Sequence, residues 1–421
     1  MKIQKAFLYK LEPEGQQIQK LYQMAGCGRV IYNKTLDFLL NIARKQLGGS
    51  ADNKAFYKQL NELSYDERIT LVAHFPHSNS LNKLITEWKK DPKLAWLKEA
   101  YTDNLQQRQR DLRGSAMDEW VKGKRGFPIF RQRKKAHHST MRFVQFQKYC
   151  KLFDRHIQLP NKLGKVRFRN SRPIEGKPKN ATVSLNACGE WHVSIMCEVK
   201  IQLPDYVSGE QCGIDMGIAK NMTVSTDSCG DEGVFYGVHS YRVYQSELAK
   251  AQKKLSRMEL GSNNWMKQKR KVSRIHQKIA NIRKDYQHKA TTEISKKHAM
   301  VICEALKVKN MSKSAKGDSE NHGKNVAAKS GLNKSILDEG WGELRRQLKY
   351  KMEWSGGFYD EVNPVNSSRE CPICGHISAE HRTEQAHFEC VNCNHAENAD
   401  KHASKVILQR GLDKLEQPLA A

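Results

Sequence analysis

Four cysteines near the C-terminus have the spacing of a metal site. Cys371 and Cys374 form one Cys-x-x-Cys pair, Cys390 and Cys393 form a second, and fifteen residues separate the two pairs. A two-residue gap lets each pair bind one side of a tetrahedral ion, and four thiolates are a common donor set for structural zinc. The spacing therefore predicts one Zn²⁺ ion in a ribbon, where a closed coordination sphere stabilises the fold and does not catalyse.

Three acidic residues, far apart in the chain, could carry out metal-dependent chemistry. Asp215 lies between two glycines at the end of an extended segment, Glu304 ends a continuous apolar run, and Asp400 begins a helix with an apolar face. A buried carboxylate at the end of a strand is costly unless it is paired or binds a metal ion. Three such groups can bind two Mg²⁺ ions about 4 Å apart, which activate water and stabilise the leaving oxygen in phosphodiester cleavage. Each acid alone is more often a helix cap or an ion-pair partner, and it is their combination in a basic chain that favours the metal interpretation.

The chain is strongly basic, which restricts its partners. Its 421 residues include 72 Lys and Arg against 45 Asp and Glu, a formal charge of +27. Such a charge favours a polyanion, and nucleic acid is the first candidate. A membrane surface would also accept it, but the sequence has no run of eighteen apolar residues and begins with an alternating pattern instead of a signal peptide. We therefore expect no membrane partner and a cytoplasmic location.

The other seven cysteines are scattered singly through apolar surroundings. Their number and spacing do not form a disulfide framework in a chain of this length. We expect them to be small core residues: Cys27, Cys150, Cys188, Cys197, Cys212, Cys229 and Cys303.

The elements that must position these groups indicate an α+β protein of several domains. Residues 2–11 alternate as a half-buried strand, and residues 28–121 have a helical pattern. After a basic linker, short alternating segments are separated by turn residues, which predicts strands at residues 142–148, 156–159, 165–169, 181–186 and 190–200. These strands and the first one predict a β-barrel into which the helical block is inserted.

The second half of the chain is predicted to contain longer helices. Residues 246–297 have apolar positions at spacings of three and four and break near Gly261, which predicts two long helices with basic outer faces. Residues 312–334 are rich in Ser, Gly, Lys and Asn and predict a loop.

Several segments resemble the TnpB family of transposon-encoded RNA-guided nucleases. GIDMGIAKNMTVSTD, CEALKVKNM and NPVNSSRECPICG through CVNCNHAENADKHASKVI are similar to the three-part RuvC core with its embedded zinc ribbon. The compact type V CRISPR effectors, relatives of TnpB, are similar as well. The resemblance extends to FLYKLEPEGQQIQKLYQMAGCGRVIYN, GFPIFRQRKK and DEGWGELRRQLKYKMEWSGG, and so covers most of the chain.

This resemblance implies a domain plan and an activity. It implies a ribonuclease H-like nuclease core in which Asp215, Glu304 and Asp400 are the catalytic acids and bind Mg²⁺. It also implies an N-terminal barrel and a helical lobe that grip a guide RNA and a short motif flanking the double-stranded target DNA. The expected domains are the barrel or wedge domain at 1–12 and 122–203, the helical recognition lobe at 13–121, the RuvC-like nuclease at 204–366 and 396–412, the zinc ribbon at 367–395 and a tail at 413–421.

A basic segment after the helical block is the candidate nucleic-acid contact. We expect its phenylalanines, Phe127 and Phe130, to be core residues more than stacking platforms for bases. The candidate contacts are Arg125, Arg131, Arg133, Lys134 and Lys135.

The sequence predicts an RNA-guided DNA endonuclease with two alternatives. The first is an RNA-guided protein that binds DNA without cutting it, which the retained acids argue against. The second is a guide-independent transposase or structure-specific nuclease, which should act on DNA without RNA.

Overall fold

The computed structural model describes residues 1–50, 52–132, 140–203, 209–317, 321–382 and 384–416. The chain divides into an N-terminal unit, residues 2–200, and a C-terminal unit, residues 201–421 together with Met1. Three of the candidate nucleic-acid contacts, Arg133, Lys134 and Lys135, lie outside the described residues.

The helices of the N-terminal unit occupy the stretch that the sequence predicts to be helical. The first of them starts at a capping box, in which Glu14 and Gln17 bind each other's backbone amides, and ends at Gly48 in the left-handed conformation. The helices are α1 (Gly15–Leu47), α2 (Asn53–Glu62), α3 (Tyr65–Ala73), α4 (Ser78–Lys90), a 3₁₀ helix (Pro92–Glu99), α5 (Thr102–Asp111), a π turn (Leu112–Ala116), α6 (Met117–Val121) and the short α7 (Phe146–Tyr149).

The described strands of the N-terminal unit form one antiparallel sheet. They are β1 (Lys2–Glu12), β2 (Thr140–Phe143), β3 (Lys151–Leu152), β4 (His156–Leu159), β5 (Gly164–Phe168), β6 (Lys177–Leu185) and β7 (Trp191–Lys200), in the order β2-β6-β7-β1-β5-β4-β3. The prediction that the first strand joins the later ones is confirmed, because β1 pairs with both β7 and β5. Its alternation places Phe7, Tyr9 and Leu11 in the core of the unit.

Two segments have a secondary structure different from the predicted one. The strand predicted at residues 142–148 ends at Phe143, and a helical turn follows it. Phe143 and Phe146 are both buried in the same core, and residues three apart point to opposite faces of a strand but to one face of a helix. The loop predicted at residues 312–334 is a helix from Val326 onwards, whose last residues Asp338 and Glu339 are buried and hydrogen-bonded.

The C-terminal unit is built around a five-stranded mixed sheet. Its strands are β8 (Glu210–Asp215), β9 (Met222–Val224), β10 (Val234–Phe235), β11 (His298–Glu304) and β12 (Phe358–Val362), in the order β10-β9-β8-β11-β12. The pairs β8·β11 and β11·β12 are parallel, while β8·β9 and β9·β10 are antiparallel. The helices are α8 (Ser240–Ser256), α9 (Asn263–Lys297), α10 (Val308–Met311), α11 (Val326–Glu339), α12 (Trp341–Ser355) and α13 (Ala399–Glu416).

Two long helices with a break near Gly261 are confirmed as α8 and α9, although α8 begins six residues before the predicted start. They pack on each other through Leu248, Ala251, Ile275 and Ile279. A small hairpin of β13 (His387–Glu389) and β14 (Ala396–Asn398), with a 3₁₀ turn (Ala379–His381), precedes α13.

The seven scattered cysteines are all buried, as predicted. In the part of the chain that the structure describes, no helix has both the length and the apolar character to cross a lipid bilayer.

Candidate active site and metal centre

Asp215 and Glu304 end two neighbouring parallel strands. Ile214 of β8 is in register with Cys303 of β11, and the next residue of each strand is the acid. Both strands therefore deliver a carboxylate at the same edge of the sheet, the edge at which open α/β sheets commonly bind ligands. Glu304 is almost fully buried, and Asp215 is half-buried.

Helix α13 carries Asp400 in its first turn and packs closely on the same strands. The close approach depends on Gly213 of β8, where a Cβ atom would lie 2.0 Å from the carbonyl oxygen of Ser404 and 2.6 Å from the amide nitrogen of Leu408. The backbone of α13 thus lies directly on the backbone of β8, two residues before Asp215. This packing determines where the first turn of α13 lies relative to the strand ends.

The electrostatics of Asp215 connect the three acids. The pKa of Asp215 is raised to about 7, first by burial and then by the negative charges of Glu304 and Asp400, while Arg382 opposes the shift. Burial also raises the pKa of Glu304, against a hydrogen bond that Ser367 Oγ donates to its Oε1 at 2.7 Å. The site therefore disfavours full ionisation of its carboxyl groups unless a cation is present.

The three carboxylates are near each other without forming a closed cluster. Their oxygens do not all fall within 4.8 Å of one another, as the ligand atoms of the cysteine group do. On one side, Lys220 Nζ lies 3.1 Å from Asp400 Oδ2 and supplies a positive charge. Carboxylate oxygens are the ligands that Mg²⁺ prefers, and a pair of ions about 4 Å apart needs a wider arrangement than one ion does. The residues present fit magnesium in donor type and charge.

Lys220, Ser367 and Arg382 were not identified from the sequence. Lys220 lies in the turn between β8 and β9, five residues after Asp215, and this short distance in the chain is the one signal that could have indicated it. Ser367 and Arg382 approach the acids from distant parts of the chain, and no local pattern marks them.

The four predicted zinc ligands come together. Cys371 Sγ lies 3.6 Å from Cys393 Sγ, Cys374 Sγ lies 3.6 Å from Cys390 Sγ, and all four sulfur atoms are within 4.8 Å of one another. Sulfur atoms bound to zinc at about 2.3 Å are roughly 3.8 Å apart in a tetrahedron. The donor set and its spacing fit Zn²⁺.

The two Cys-x-x-Cys turns have the same backbone design. The amide of Gly375 donates to the carbonyl of Cys371 and the amide of Asn394 donates to the carbonyl of Cys390, each at 2.9 Å. Gly375 and Asn394 both adopt positive φ angles, 70° and 57°, which glycine and asparagine tolerate best. The backbone amide of His376 lowers the pKa of Cys374 to about 6, which favours the thiolate that a metal requires.

The cysteine-rich segment is joined directly to the first turn of α13. Asn398, the last residue of β14, accepts hydrogen bonds from the amides of Asp400 at 3.2 Å and Lys401 at 3.3 Å, as an N-cap residue does. His402 Nε2 donates to the carbonyl of Glu370 at 2.8 Å, next to the first cysteine. Contacts from residues 370–398 therefore surround the first turn of α13, which carries Asp400.

The described part of the basic segment lies in the N-terminal unit. Arg125 is exposed and pairs with Glu119 at 3.1 Å, whereas the guanidinium of Arg131 lies over the ring of Tyr32 at 3.6 Å. Phe127 is buried against other aromatic rings, as expected of a core residue. The predicted site residues thus form an acidic set and a cysteine set in the C-terminal unit, and the basic set is a separate feature.

The protein is a mixed α/β protein with carboxylates at one edge of its sheet and, before the last helix, four cysteines that could hold a metal ion. A family model described as a probable transposase, of the OrfB type of IS605, matches residues 194–315. Models described as the TNB domain of Cas12f1-like proteins and as a helix-turn-helix domain match residues 341–407 and 1–41.

Two relatives align over almost the whole chain. One, from Escherichia coli (strain K12) and named "Putative RNA-guided DNA endonuclease InsQ", is 41% identical over 98% of this chain and 93% of its own length. A relative from Streptomyces pristinaespiralis with the same description is 30% identical over 97% of this chain and 90% of its own. The chain therefore belongs to the TnpB/OrfB family. A solved Cas12f1-sgRNA-target DNA complex aligns over 98% of this chain and 100% of the other, at 16% identity and a TM-score of 0.33.

Proposed function

We propose that this protein is an RNA-guided DNA endonuclease that hydrolyses phosphodiester bonds of target DNA at a two-metal site. The guide RNA reads the target by base pairing, and the protein recognises a short flanking motif in the duplex, which is the division of labour of RNA-guided nucleases. The names of the two full-length relatives support the activity and its partners. The proposed partners are RNA and DNA, so we infer a cytoplasmic location.

One observation carries the catalytic part of the proposal. Asp215 and Glu304 end adjacent parallel strands, and the charge of Asp400, from a helix packed on the same strands, adds to that of Glu304 in raising the pKa of Asp215. Three acids from two strands and one helix are a donor set for Mg²⁺. When bound, two Mg²⁺ ions supply an activated water and stabilise the leaving oxygen.

The chain's own residues have distinct roles in this proposal. Asp215, Glu304 and Asp400 would hold the ions. Ser367 orients Glu304 through its hydrogen bond to Oε1, and Lys220 neutralises Asp400 through an ion pair at 3.1 Å that a bound ion would displace. Because Lys220 is partly exposed, it is also available to a phosphate of the bound strand.

The domain plan and the zinc assignment belong to the same proposal. The order β10-β9-β8-β11-β12, with three antiparallel strands followed by parallel ones, supports a ribonuclease H-like core of the RuvC type at residues 204–366 and 396–412. The sulfur spacing supports a structural Zn²⁺ in a ribbon at residues 367–395. We propose that residues 1–12 and 122–203 are a wedge domain with barrel character, and that residues 13–121 are the helical recognition lobe. We propose that the C-terminal tail is residues 413–421, of which 413–416 are the end of α13.

Arg125 and Arg131 are the proposed nucleic-acid contacts within the described residues. Arg125 is the more available of the two, because its side chain is 76% exposed while Arg131 lies on Tyr32. Their loss should weaken binding without regard to sequence, since a cation that contacts phosphate reads charge and not bases.

The experiment expresses the chain with its genomic flanks, purifies it with the RNA that it retains, and sequences that RNA. A plasmid library with the matching target and randomised flanks is then incubated with the complex and Mg²⁺. We expect cleavage next to one short motif, and we expect Asp215→Ala to abolish cleavage while target binding is retained. Asp231→Ala, at an exposed aspartate of the same unit, is the matched control and should cleave as the wild type does.

Each alternative has its own outcome in this experiment. Guided binding without cleavage by the wild type, at any divalent metal concentration, would identify a binding protein. Cleavage or strand transfer that persists after the RNA is removed would identify a guide-independent nuclease or transposase. Loss of target binding in Asp215→Ala would contradict the role given to this residue.

A further inference from the structure

Three side chains beside the cysteine group converge on one point. His395 follows the second Cys-x-x-Cys turn, Glu397 lies in β14, and His402 lies in the first turns of α13. Each of these side chains places one ligand atom, a ring nitrogen or a carboxylate oxygen, within 4.8 Å of those of the other two, and His395 Nε2, Glu397 Oε2 and His402 Nδ1 are the atoms without a hydrogen bond. Each side chain comes from a different part of the local structure, so the convergence is produced by the packing of the β13–β14 hairpin on α13.

The atoms that converge are buried and lack partners. Among all residues that the structure describes, none forms a hydrogen bond with these three atoms. His395 Nε2 lies 3.8 Å from Glu397 Oε2, which is too long for a hydrogen bond. Buried polar atoms are almost always satisfied, and three unsatisfied ones that face each other indicate a missing common partner.

Two other polar atoms of the cluster, one on His402 and one on Glu397, are occupied and fix the orientation of these side chains. His402 Nε2 donates to the carbonyl of Glu370 at 2.8 Å, which leaves Nδ1 as the free ring nitrogen. Glu397 Oε1 pairs with Lys405, which leaves Oε2 facing the histidines. The ring of Phe388 stacks on His402 with centroids 3.4 Å apart and holds the imidazole plane. A histidine whose other nitrogen donates to a carbonyl is the usual arrangement of a metal ligand.

We infer that His395, Glu397 and His402 form a second metal site, separate from the four cysteines, that binds a divalent transition metal of the zinc type. Two imidazole nitrogens and one carboxylate oxygen suit Zn²⁺ and its neighbours in the first transition row, and not Mg²⁺ or Ca²⁺, which prefer oxygen ligands alone. With three protein ligands, the fourth position is left to water or to an added ligand. Lys405 reduces the negative charge of the site, so this ion should be bound more weakly than the one in the cysteine site.

The site would connect the ribbon segment to α13. His395 belongs to the second cysteine turn and Glu397 to β14, while His402 is two residues from Asp400 on the next helix. An ion bound to all three would therefore fix the start of α13 against the β13–β14 hairpin.

The test measures metal content in the full-length protein. Every variant carries Asp215→Asn and is dialysed in buffer with excess Mg²⁺, so that the acidic site and bound RNA do not retain zinc. We expect the parent protein to hold two equivalents of Zn²⁺ per chain by elemental analysis, and we expect His402→Gln and Glu397→Gln to hold one. Glutamine at 402 keeps a donor for the Glu370 carbonyl. His387→Gln, at an exposed histidine of β13, is the matched control and should keep two.

Cobalt substitution separates loss of the site from loss of the fold. Co²⁺ in the cysteine site gives an intense thiolate charge-transfer band, and Co²⁺ at nitrogen and oxygen ligands gives only weak visible bands. Supporting results are a second Co²⁺ equivalent without added thiolate intensity in the parent, and its loss in His402→Gln while the thiolate band is unchanged. A parent that binds one equivalent, or a His402→Gln variant that still binds two, would overturn the inference.

Discussion

The packing of α13 on β8 gives a sharp test of how the third acid is positioned. We predict that Gly213→Ala impairs cleavage although residue 213 bears no catalytic group. The new methyl group would lie 2.0 Å from the carbonyl oxygen of Ser404 and 2.6 Å from the amide of Leu408, and both are backbone atoms of the helix. Ordinary contact begins near 3.4 Å, so the helix must withdraw by about 1.4 Å.

That displacement sets the expected magnitude. Overpacking of this kind costs about 1–3 kcal/mol of stability, and it is not relieved by a side-chain rotation because the neighbours are backbone. Since Asp400 lies in the first turn of the displaced helix, its carboxylate moves relative to Asp215 and Glu304. Misplacement by about 1 Å can lower a rate roughly a hundredfold, and we expect a loss of this order.

The assay compares single-turnover cleavage with target binding, using the RNA-loaded protein. Gly213→Ala should lose cleavage far more than binding, and its melting temperature should fall modestly. Gly331→Ala in α11 is the matched control, because no atom lies within 4 Å of its Cβ position and alanine favours a helix. Wild-type cleavage by Gly213→Ala, in a protein that melts at the wild-type temperature, would refute the proposed dependence of Asp400 on this packing.

The other predictions concern charge and metal. The pKa of Asp215 is raised to about 7, mainly by burial. In Mg²⁺-free buffer this group therefore favours the folded state most at low pH, and its contribution is lost as the pH rises through about 7. Asp215→Asn should raise the melting temperature at pH 8 and not at pH 4. A pKa shift of this size changes the free energy of unfolding by at most about 4 kcal/mol. Because Asp215 is partly exposed, we expect Asp215→Asn to gain about 1–3 kcal/mol of stability at pH 8, measured by thermal melting. An equal gain at both pH values would exclude the electrostatic explanation. Lys220→Met removes the cation that pairs with Asp400 and competes with a metal ion. The Mg²⁺ concentration that gives half-maximal cleavage should therefore fall about two- to fivefold. A rise in that concentration would show that Lys220 assists metal binding. Cys390→Ser should abolish zinc binding at the cysteine group and lower the cleavage rate about ten- to a hundredfold. Full activity without zinc would exclude a role for this group in catalysis.

The strands that carry two of the acids could be predicted because their signals are local. The apolar run before Glu304 and the alternation before Asp215 predict buried strands, and parallel neighbours must present their carboxyl ends at one edge. The helix that Asp400 begins was also predictable from its apolar face, which is buried as expected at Ala403, Val406 and Ile407.

What the sequence did not predict depends on contacts between distant residues. The pairing of Lys220 with Asp400 joins residues in different elements, and each is unremarkable in its own segment. The start of α11 at Val326 was missed because the preceding residues have loop composition, while the helix is held at its far end, where Asp338 accepts hydrogen bonds from the Tyr241 amide and Ser240 Oγ. Composition reports local preference, and tertiary hydrogen bonds can override it.

The adjacency of the cysteine site and Asp400 has a physical explanation in the local hydrogen bonds. A helix end is the part of a helix most prone to fraying, because its first amides have no partner within the helix. Here Asn398 caps two of these amides, and the ribbon carbonyl of Ala386 accepts a third from Ala399 at 2.9 Å. An acid in a frayed turn would sample many positions, and only some of them would suit a metal ion. The zinc ion proposed for the cysteine group would remove that freedom at the helix end where the proposed chemistry requires a fixed carboxylate.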